Sequence, residues 1–456
     1  MGKARKTLSF IEALAIVVGM IIGSGIFLKP SIVLADAGTP MASLLAWIVG
    51  GIITLASALS ISEIASAIPR SGGLYTYLEE IYGEPVGYLL GWVQTIVSYP
   101  ASIAAQAIAF ATYANVFLPM GGWEQKFLAF GVLGFLLLMN ILSTKYGGII
   151  QTIATVGKLV PIVVIIGLGL FGSGSLNLTA GEAVTMTGFG AAILGTLWAY
   201  DGWIGVTNMA GELKNPGKSL PKVITIGILI PIVVYAVFNL IMFKVLPFEE
   251  MVASATPGAL AAERLLGSAG ATFITVGIMI SVFGALNGYL MTAARVPQAM
   301  GAKRQLPFGK VLGAIHPKFQ TPTNALIFQA VIAVIYILSG SFNTLTDMLI
   351  FVLWIFFTLG VVGVFVMRKR KPELKGEYKV PLYPIVPIIG IVGSSYIIIS
   401  TIVSSPINSL VGIGLTVIGL PVYFWCKKKN VTHQEQAEDV EDAQMQTAQE
   451  EQTQAE

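Results

Sequence analysis

The chain has 456 residues, of which 55% are hydrophobic and 11% are Asp, Glu, Lys or Arg, with a mean hydropathy of +0.79; a water-soluble domain carries roughly 25% charged residues. So few charges cannot clothe a soluble protein, and the small net charge of +3 does not suggest a nucleic-acid partner. One cysteine, Cys426, rules out an intrachain disulfide, and His316 and His433 stand far apart in polar flanks, so neither a metal site nor a cofactor is expected.

The apolar residues fall in runs of about 17 to 25, the length a helix needs to cross a hydrocarbon layer of roughly 30 Å. Lipid cannot satisfy backbone polar groups, and the short alternating segments of a barrel are absent, so the runs are predicted to be helices. Twelve spans are expected, near 10–35, 41–66, 86–118, 127–143, 149–172, 189–211, 222–246, 268–300, 322–339, 344–367, 384–403 and 407–426. The first is too long for a signal peptide, although Lys3, Arg5 and Lys6 precede it and Ala35-Asp36-Ala37 resembles a cleavage site. Starting inside, 21 of the 27 Lys and Arg residues fall on the inner side, only Lys126 and Arg264 fall outside, and Lys29, Lys158, Lys244 and Arg295 lie within spans. This asymmetry supports the helix count and places both termini in the cytoplasm.

Span one carries Gly19-Met20-Ile21-Ile22-Gly23-Ser24-Gly25-Ile26-Phe27, a weak helix at mid-depth, although Gly19 and Gly23 also suit close helix packing. Span six carries Leu197-Trp198-Ala199-Tyr200-Asp201-Gly202-Trp203, again a helix breaker beside a polar residue. Five spans separate the two, so they cross the membrane in opposite directions. The expected architecture is an inverted repeat: residues 1–9 a cytoplasmic lead, 10–172 a first five-helix repeat, 189–367 a second, 384–426 two further helices, and 427–456 an acidic, disordered cytoplasmic tail. At such breaks the N–H groups of the following half-helix suit a carboxylate and unpaired carbonyls suit an ammonium, so one zwitterion satisfies both.

Four stretches carry a resemblance: Ile22-Gly23-Ser24-Gly25-Ile26-Phe27, Gly72-Gly73-Leu74-Tyr75-Thr76-Tyr77-Leu78-Glu79, Ala199-Tyr200-Asp201-Gly202-Trp203 and Gly211-Glu212-Leu213-Lys214-Asn215-Pro216. Over about residues 8–426 the chain resembles the L-amino acid transporter family of the amino acid–polyamine–organocation superfamily, which shares the LeuT fold, and it is most similar to bacterial serine/threonine and alanine-serine-cysteine exchangers. The resemblance implies that the substrate carboxylate meets the hydroxyl and backbone of Ser24 and the N–H of Gly25, with Gly23 permitting the unwound turn. It implies that the ammonium meets carbonyls of Ile21, Trp198 and Asp201, in the segment that includes Ala199 and Gly202. Trp198 stands where many relatives have a Phe lid, and Asp201 where eukaryotic members commonly have Gly. Trp354 in span ten is expected to line the site by the same analogy.

Lys158 lies ten residues into span five, where a charge costs at least about 2.5 kcal/mol without a partner. By resemblance it touches the unwound part of span one, where sodium-coupled relatives hold a cation, and Tyr235 closes a hydrogen-bond bridge to it. Glu63 and Arg295, near inner helix ends, are expected to form ion pairs between helices, and Trp47, Trp92 and Trp203 to pack or sit at the interface. The expected activity is sodium-independent exchange of small neutral L-amino acids (Ala, Ser, Cys, Thr, Gly) across the cell membrane by alternating access. Proton-coupled uptake through Lys158 is the alternative. A membrane enzyme would need buried nucleophiles or metal ligands that two flanking histidines do not supply. Cys426 sits beside Lys427, Lys428 and Lys429, so no disulfide-linked ancillary subunit is expected.

Overall fold

The computed structural model describes residues 10–68, 73–142, 157–172, 174–176, 178–181, 183–208 and 216–429. All regular structure among them is helical. The predicted lead 1–9, the predicted tail from 430 onward, Arg70, Lys145, the stretch 211–215 and the start of span five at 149–156 lie outside the described residues, whereas 427–429, expected to begin the disordered tail, are helical.

The chain opens with α1 (Phe10–Ile21), which stops at a three-residue bend and resumes as α2 (Gly25–Ala37). Gly38, at φ 81°, ends α2, and the Thr39 hydroxyl caps α3 (Pro40–Ala67) by accepting from Ala42 N. The short α4 (Gly73–Tyr82) leads into α5 (Glu84–Val93), a π turn at Gln94–Ser98, and α6 (Tyr99–Ala114). Then come α7 (Gly122–Leu142) and α8 (Leu159–Phe171). Next, α9 (Met186–Tyr200) breaks at a turn and, among the described residues, continues as the single turn α10 (Gly205–Asn208).

Beyond the second break lie α11 (Pro216–Val245), the short α12 (Phe248–Ala253), α13 (Pro257–Ala293) and α14 (Arg295–Ala302). They are followed by α15 (Gly309–Leu312), α16 (Thr323–Ser339), α17 (Phe342–Arg370), α18 (Ile385–Ser404) and α19 (Pro406–Val417), whose helix runs on to Lys429. Span eight starts earlier than expected, at Pro257, because the outer stretch is helical too; a non-helical Gly267, at φ 70°, separates the two parts. Span ten runs three residues further, through Arg368, Lys369 and Arg370, whose charges complement the carbonyl end of α17.

Among the described residues eight helices are long and apolar enough to cross a bilayer, and Leu159–Phe171 and Thr323–Ser339 are shorter apolar helices. The outer wall is apolar, with Val163, Phe273, Val392 and Ile399 exposed, while small and polar residues turn inward. Both faces of the amino-terminal half of α2 are buried, against α9 and α3, which sets the first break in the centre of the bundle. The basic end of α17 is clamped by Glu63, whose carboxylate accepts from Arg368 Nε and Nη2 at 2.7 and 2.8 Å and from Val380 N at 2.7 Å. The expected pairing role of Glu63 is thereby met; Arg295 is exposed and forms no ion pair among the described residues.

Candidate substrate site at the two helix breaks

The two breaks touch. A Cβ on Gly25 would lie 2.6 Å from the Ala199 Cα, so the start of α2 packs backbone to backbone against the end of α9, and any larger residue would force them apart. Gly202, at φ 108°, turns the chain out of α9, and its Cα faces Met20 on the last turn of α1. Gly23 lies in the bend itself, between Ile22 and Ser24. The residue types singled out in the sequence are therefore gathered at one place.

Each break exposes backbone groups that helix would otherwise pair. On the carbonyl side the protein supplies donors. Lys158, 6% exposed, donates its ammonium to the Gly19 carbonyl, two residues before the end of α1. The Tyr235 hydroxyl lies 2.8 Å from the Ile21 carbonyl and 2.9 Å from the Ala199 carbonyl, one proton bridging the last turns of α1 and α9. The Asp201 N–H closes onto the Trp198 carbonyl at 3.2 Å. The expected Tyr235–Lys158 bridge is not what the structure contains: Tyr235 spends its single proton between the Ile21 and Ala199 carbonyls, and Lys158 donates to the Gly19 carbonyl.

On the N–H side the arrangement differs. The N–H groups of Phe27 and Leu28 fold back onto the Ser24 carbonyl, while the first N–H groups of α2, at Gly25 and Ile26, have no intrahelical acceptor. Ser24 is buried and its hydroxyl has no hydrogen-bond partner. A buried unsatisfied hydroxyl costs about 1–3 kcal/mol, so this corner suits an anionic group that the helix end and the hydroxyl would both hold.

Aromatic rings close the site. Trp198 stacks on Tyr289 at 6.3 Å between centroids and 8° between planes, and meets Phe342 edge-on at 6.0 Å. The Tyr289 hydroxyl donates to the Asp201 carboxylate at 3.4 Å. Trp47, Tyr200 and Tyr235 form a second cluster with centroids 5.1–6.2 Å apart, which holds the Tyr235 ring in place. Trp354 packs on Phe357, which in turn contacts Trp203 just past the second break. It therefore supports the break through Phe357.

Sequence reasoning missed Lys29. Its side chain on α2 is 0% exposed, its ammonium lies 2.9 Å from the Asp347 carboxylate on α17, and it sits 5.5 Å from the centroid of the Phe342 ring. The pair ties α2 to α17 directly over the Phe342–Trp198 contact. A partial signal existed, since Lys29 is the one cation of span one and Asp347 the one charge of span ten, each costly without a partner although neither identifies the other.

Comparison with known proteins decides the family. Residues 8–424 match the amino acid permease family model. The chain belongs to the amino acid permease family. It is 42% identical to the serine/threonine exchanger SteT of Bacillus subtilis over 430 residues, 94% of this chain and 98% of that one. It is 34% identical to the b(0,+)-type amino acid transporter 1 of Mus musculus, over 88% of this chain and 84% of that protein. A third relative is the large neutral amino acids transporter small subunit 2 of Mus musculus, 32% identical over 92% and 81% of the two chains. The permease is thus a multi-pass membrane protein of the amino acid–polyamine–organocation superfamily, as its motifs imply.

Proposed function

We propose that this permease exchanges small neutral L-amino acids across the cell membrane, without sodium, by alternating access around the two breaks. One observation carries the reading: the breaks meet at Gly25 and Ala199, with their carbonyls engaged by Lys158 and Tyr235 and the Ser24 hydroxyl left unpartnered. The cargo carboxylate takes the Ser24 hydroxyl and the Gly25 N–H. The ammonium takes second lone pairs on the Ile21 and Trp198 carbonyls, with the Asp201 carbonyl beside them. Lys158 gives the α1 carbonyls a fixed positive charge, the task a coupling cation would otherwise perform. The Trp198–Tyr289 stack limits the side chain that fits, which favours Ala, Ser, Cys, Thr and Gly.

The chain is read as twelve crossings, two of them the interrupted helices Phe10–Ala37 and Met186–Asn208, in two five-helix repeats at 10–172 and 189–367 followed by 384–426. The basic side faces the cytoplasm, where both termini lie. Lys29–Asp347 is then the outer closure, a buried lysine on a half-exposed carboxylate, and outward opening separates Lys29 from Asp347. Cys426 is buried at the basic end, which fits a carrier without a disulfide-linked ancillary subunit. SteT, a serine/threonine exchanger, supports the exchange mode and the small polar cargo.

Counterflow in proteoliposomes tests the reading. Labelled serine should enter vesicles preloaded with serine or alanine and not empty vesicles, in choline as well as in sodium. Uptake into empty vesicles driven by a proton gradient, or a requirement for sodium, overturns it.

A further inference from the structure

We infer that the permease binds an anionic glycerophospholipid in a cavity between α4 and the basic end of α17. The cavity, of about 340 Å³, is lined by Tyr82, Phe365, Val366, Lys369 and Arg370. Four consecutive cations end this region, and they divide by role. Arg368 is committed to Glu63, and Lys371 donates to the Glu80 carboxylate and carbonyl, each at 2.7 Å. The middle two, Lys369 and Arg370, are exposed, form no ion pair among the described residues, and line the cavity. The outer pairs pin the walls while the inner cations stay available.

The remaining walls suit an acyl chain. Tyr82 donates to the Leu359 carbonyl at 2.9 Å, so its ring presents a fixed apolar edge beside Phe365 and Val366. Phe365 contacts the Tyr383 ring at 5.3 Å, and Leu382 and Ile385 beside it are exposed, which continues the apolar wall outward. Two residues beyond Tyr82, Glu84 accepts from Lys427 at 3.0 Å, which ties the basic end of the last helix to the start of α5. A polar cationic mouth over an apolar wall at the end of a membrane-crossing helix matches a phospholipid whose headgroup carries a negative charge. A neutral headgroup leaves Lys369 and Arg370 uncompensated, and a free phosphate leaves the apolar wall unused.

Native mass spectrometry of the full chain released from micelles doped with phosphatidylglycerol tests this. Wild type should retain at least one phosphatidylglycerol, and Lys369→Gln/Arg370→Gln should weaken its apparent affinity on the order of thirty-fold, two surface charges' worth. Lys375→Gln/Lys379→Gln removes the same charge from exposed lysines that follow α17 in the chain but do not line the cavity, and should leave retention within about threefold of wild type, and all three proteins should elute alike by size exclusion. Equal weakening by both pairs reduces the effect to diffuse charge and overturns the site. So does equal retention of phosphatidylcholine, or displacement of the lipid by millimolar inorganic phosphate. Retention that appears only after truncation at Asn430 would assign the cavity to the acidic tail instead.

Discussion

Tyr235→Phe is the sharpest probe of the proposed site because it removes one hydroxyl and leaves the ring. The ring is 0% exposed and held by Trp47 at 5.4 Å and Tyr200 at 5.1 Å, so the packing survives the change. What is lost is the donor between the Ile21 and Ala199 carbonyls, at 2.8 and 2.9 Å. One buried acceptor then goes unsatisfied in every conformation that clasps the two breaks, at a cost of about 1–3 kcal/mol. Tenfold corresponds to 1.4 kcal/mol, so the clasped, substrate-receptive population should fall between about fivefold and 150-fold relative to the others. Serine binding to the purified protein should weaken by that factor, and exchange in proteoliposomes should slow, while the melting temperature of the detergent-solubilised protein drops by only a few degrees. A Tyr235→Phe protein that binds and exchanges serine like wild type refutes the bridging role, since no other group can then be holding those carbonyls through Tyr235.

Three further outcomes are expected. Lys158→Ala leaves the Gly19 carbonyl without its donor, so substrate affinity should fall at least fivefold although the protein still inserts; wild-type affinity and exchange in this variant would remove Lys158 from the mechanism, and sodium-dependent rescue would support its cation-like role. Ser24→Leu replaces the unpartnered hydroxyl with a branched apolar chain at the carboxylate position, and should abolish exchange without changing elution by size exclusion; normal exchange would place the site elsewhere. Glu63→Gln breaks a largely buried pair with Arg368 and weakens the anchor of Val380 N, so thermal stability should fall by about 3–5 kcal/mol with serine affinity in the surviving protein unchanged; an unaltered melting curve would deny the clamp.

Much of the site was legible because its grammar is local. Glycine and serine at mid-span disfavour helix wherever they occur, so Gly23-Ser24-Gly25 and Asp201-Gly202 announced both breaks, and the alternation of crossing direction paired them. Lys158 announced itself through the cost of a charge in an apolar run. What escaped the sequence were contacts set by the packing of distant helices. Lys29 and Asp347 are 318 residues apart, and nothing in either span names the other. The Tyr289 ring under Trp198 is an ordinary aromatic in its own helix, and the destination of the Tyr235 proton depends on two carbonyls that only the meeting of Gly25 with Ala199 brings within one hydroxyl's reach.

The same division explains the polarity of the site. Groups that satisfy carbonyls must be side-chain donors, and a fold can import those from any neighbouring helix, as α11 supplies Tyr235 and the start of α8 supplies Lys158. Groups that satisfy N–H must be acceptors, and an imported carboxylate would occupy the place the cargo needs. The acidic side chain at the second break, Asp201, is instead turned to Tyr289. In the proposed mode the protein engages its own carbonyl end and leaves the start of α2, with the unpartnered Ser24 hydroxyl, for the carboxylate of the cargo. In that mode an amino acid completes the junction between the two breaks, and an unloaded junction keeps the Ser24 hydroxyl unsatisfied at its centre. That asymmetry would give the proposed cargo a differential hold on the closed junction, which is the physical requirement for a carrier that reorients loaded more readily than empty, as the proposed exchange demands.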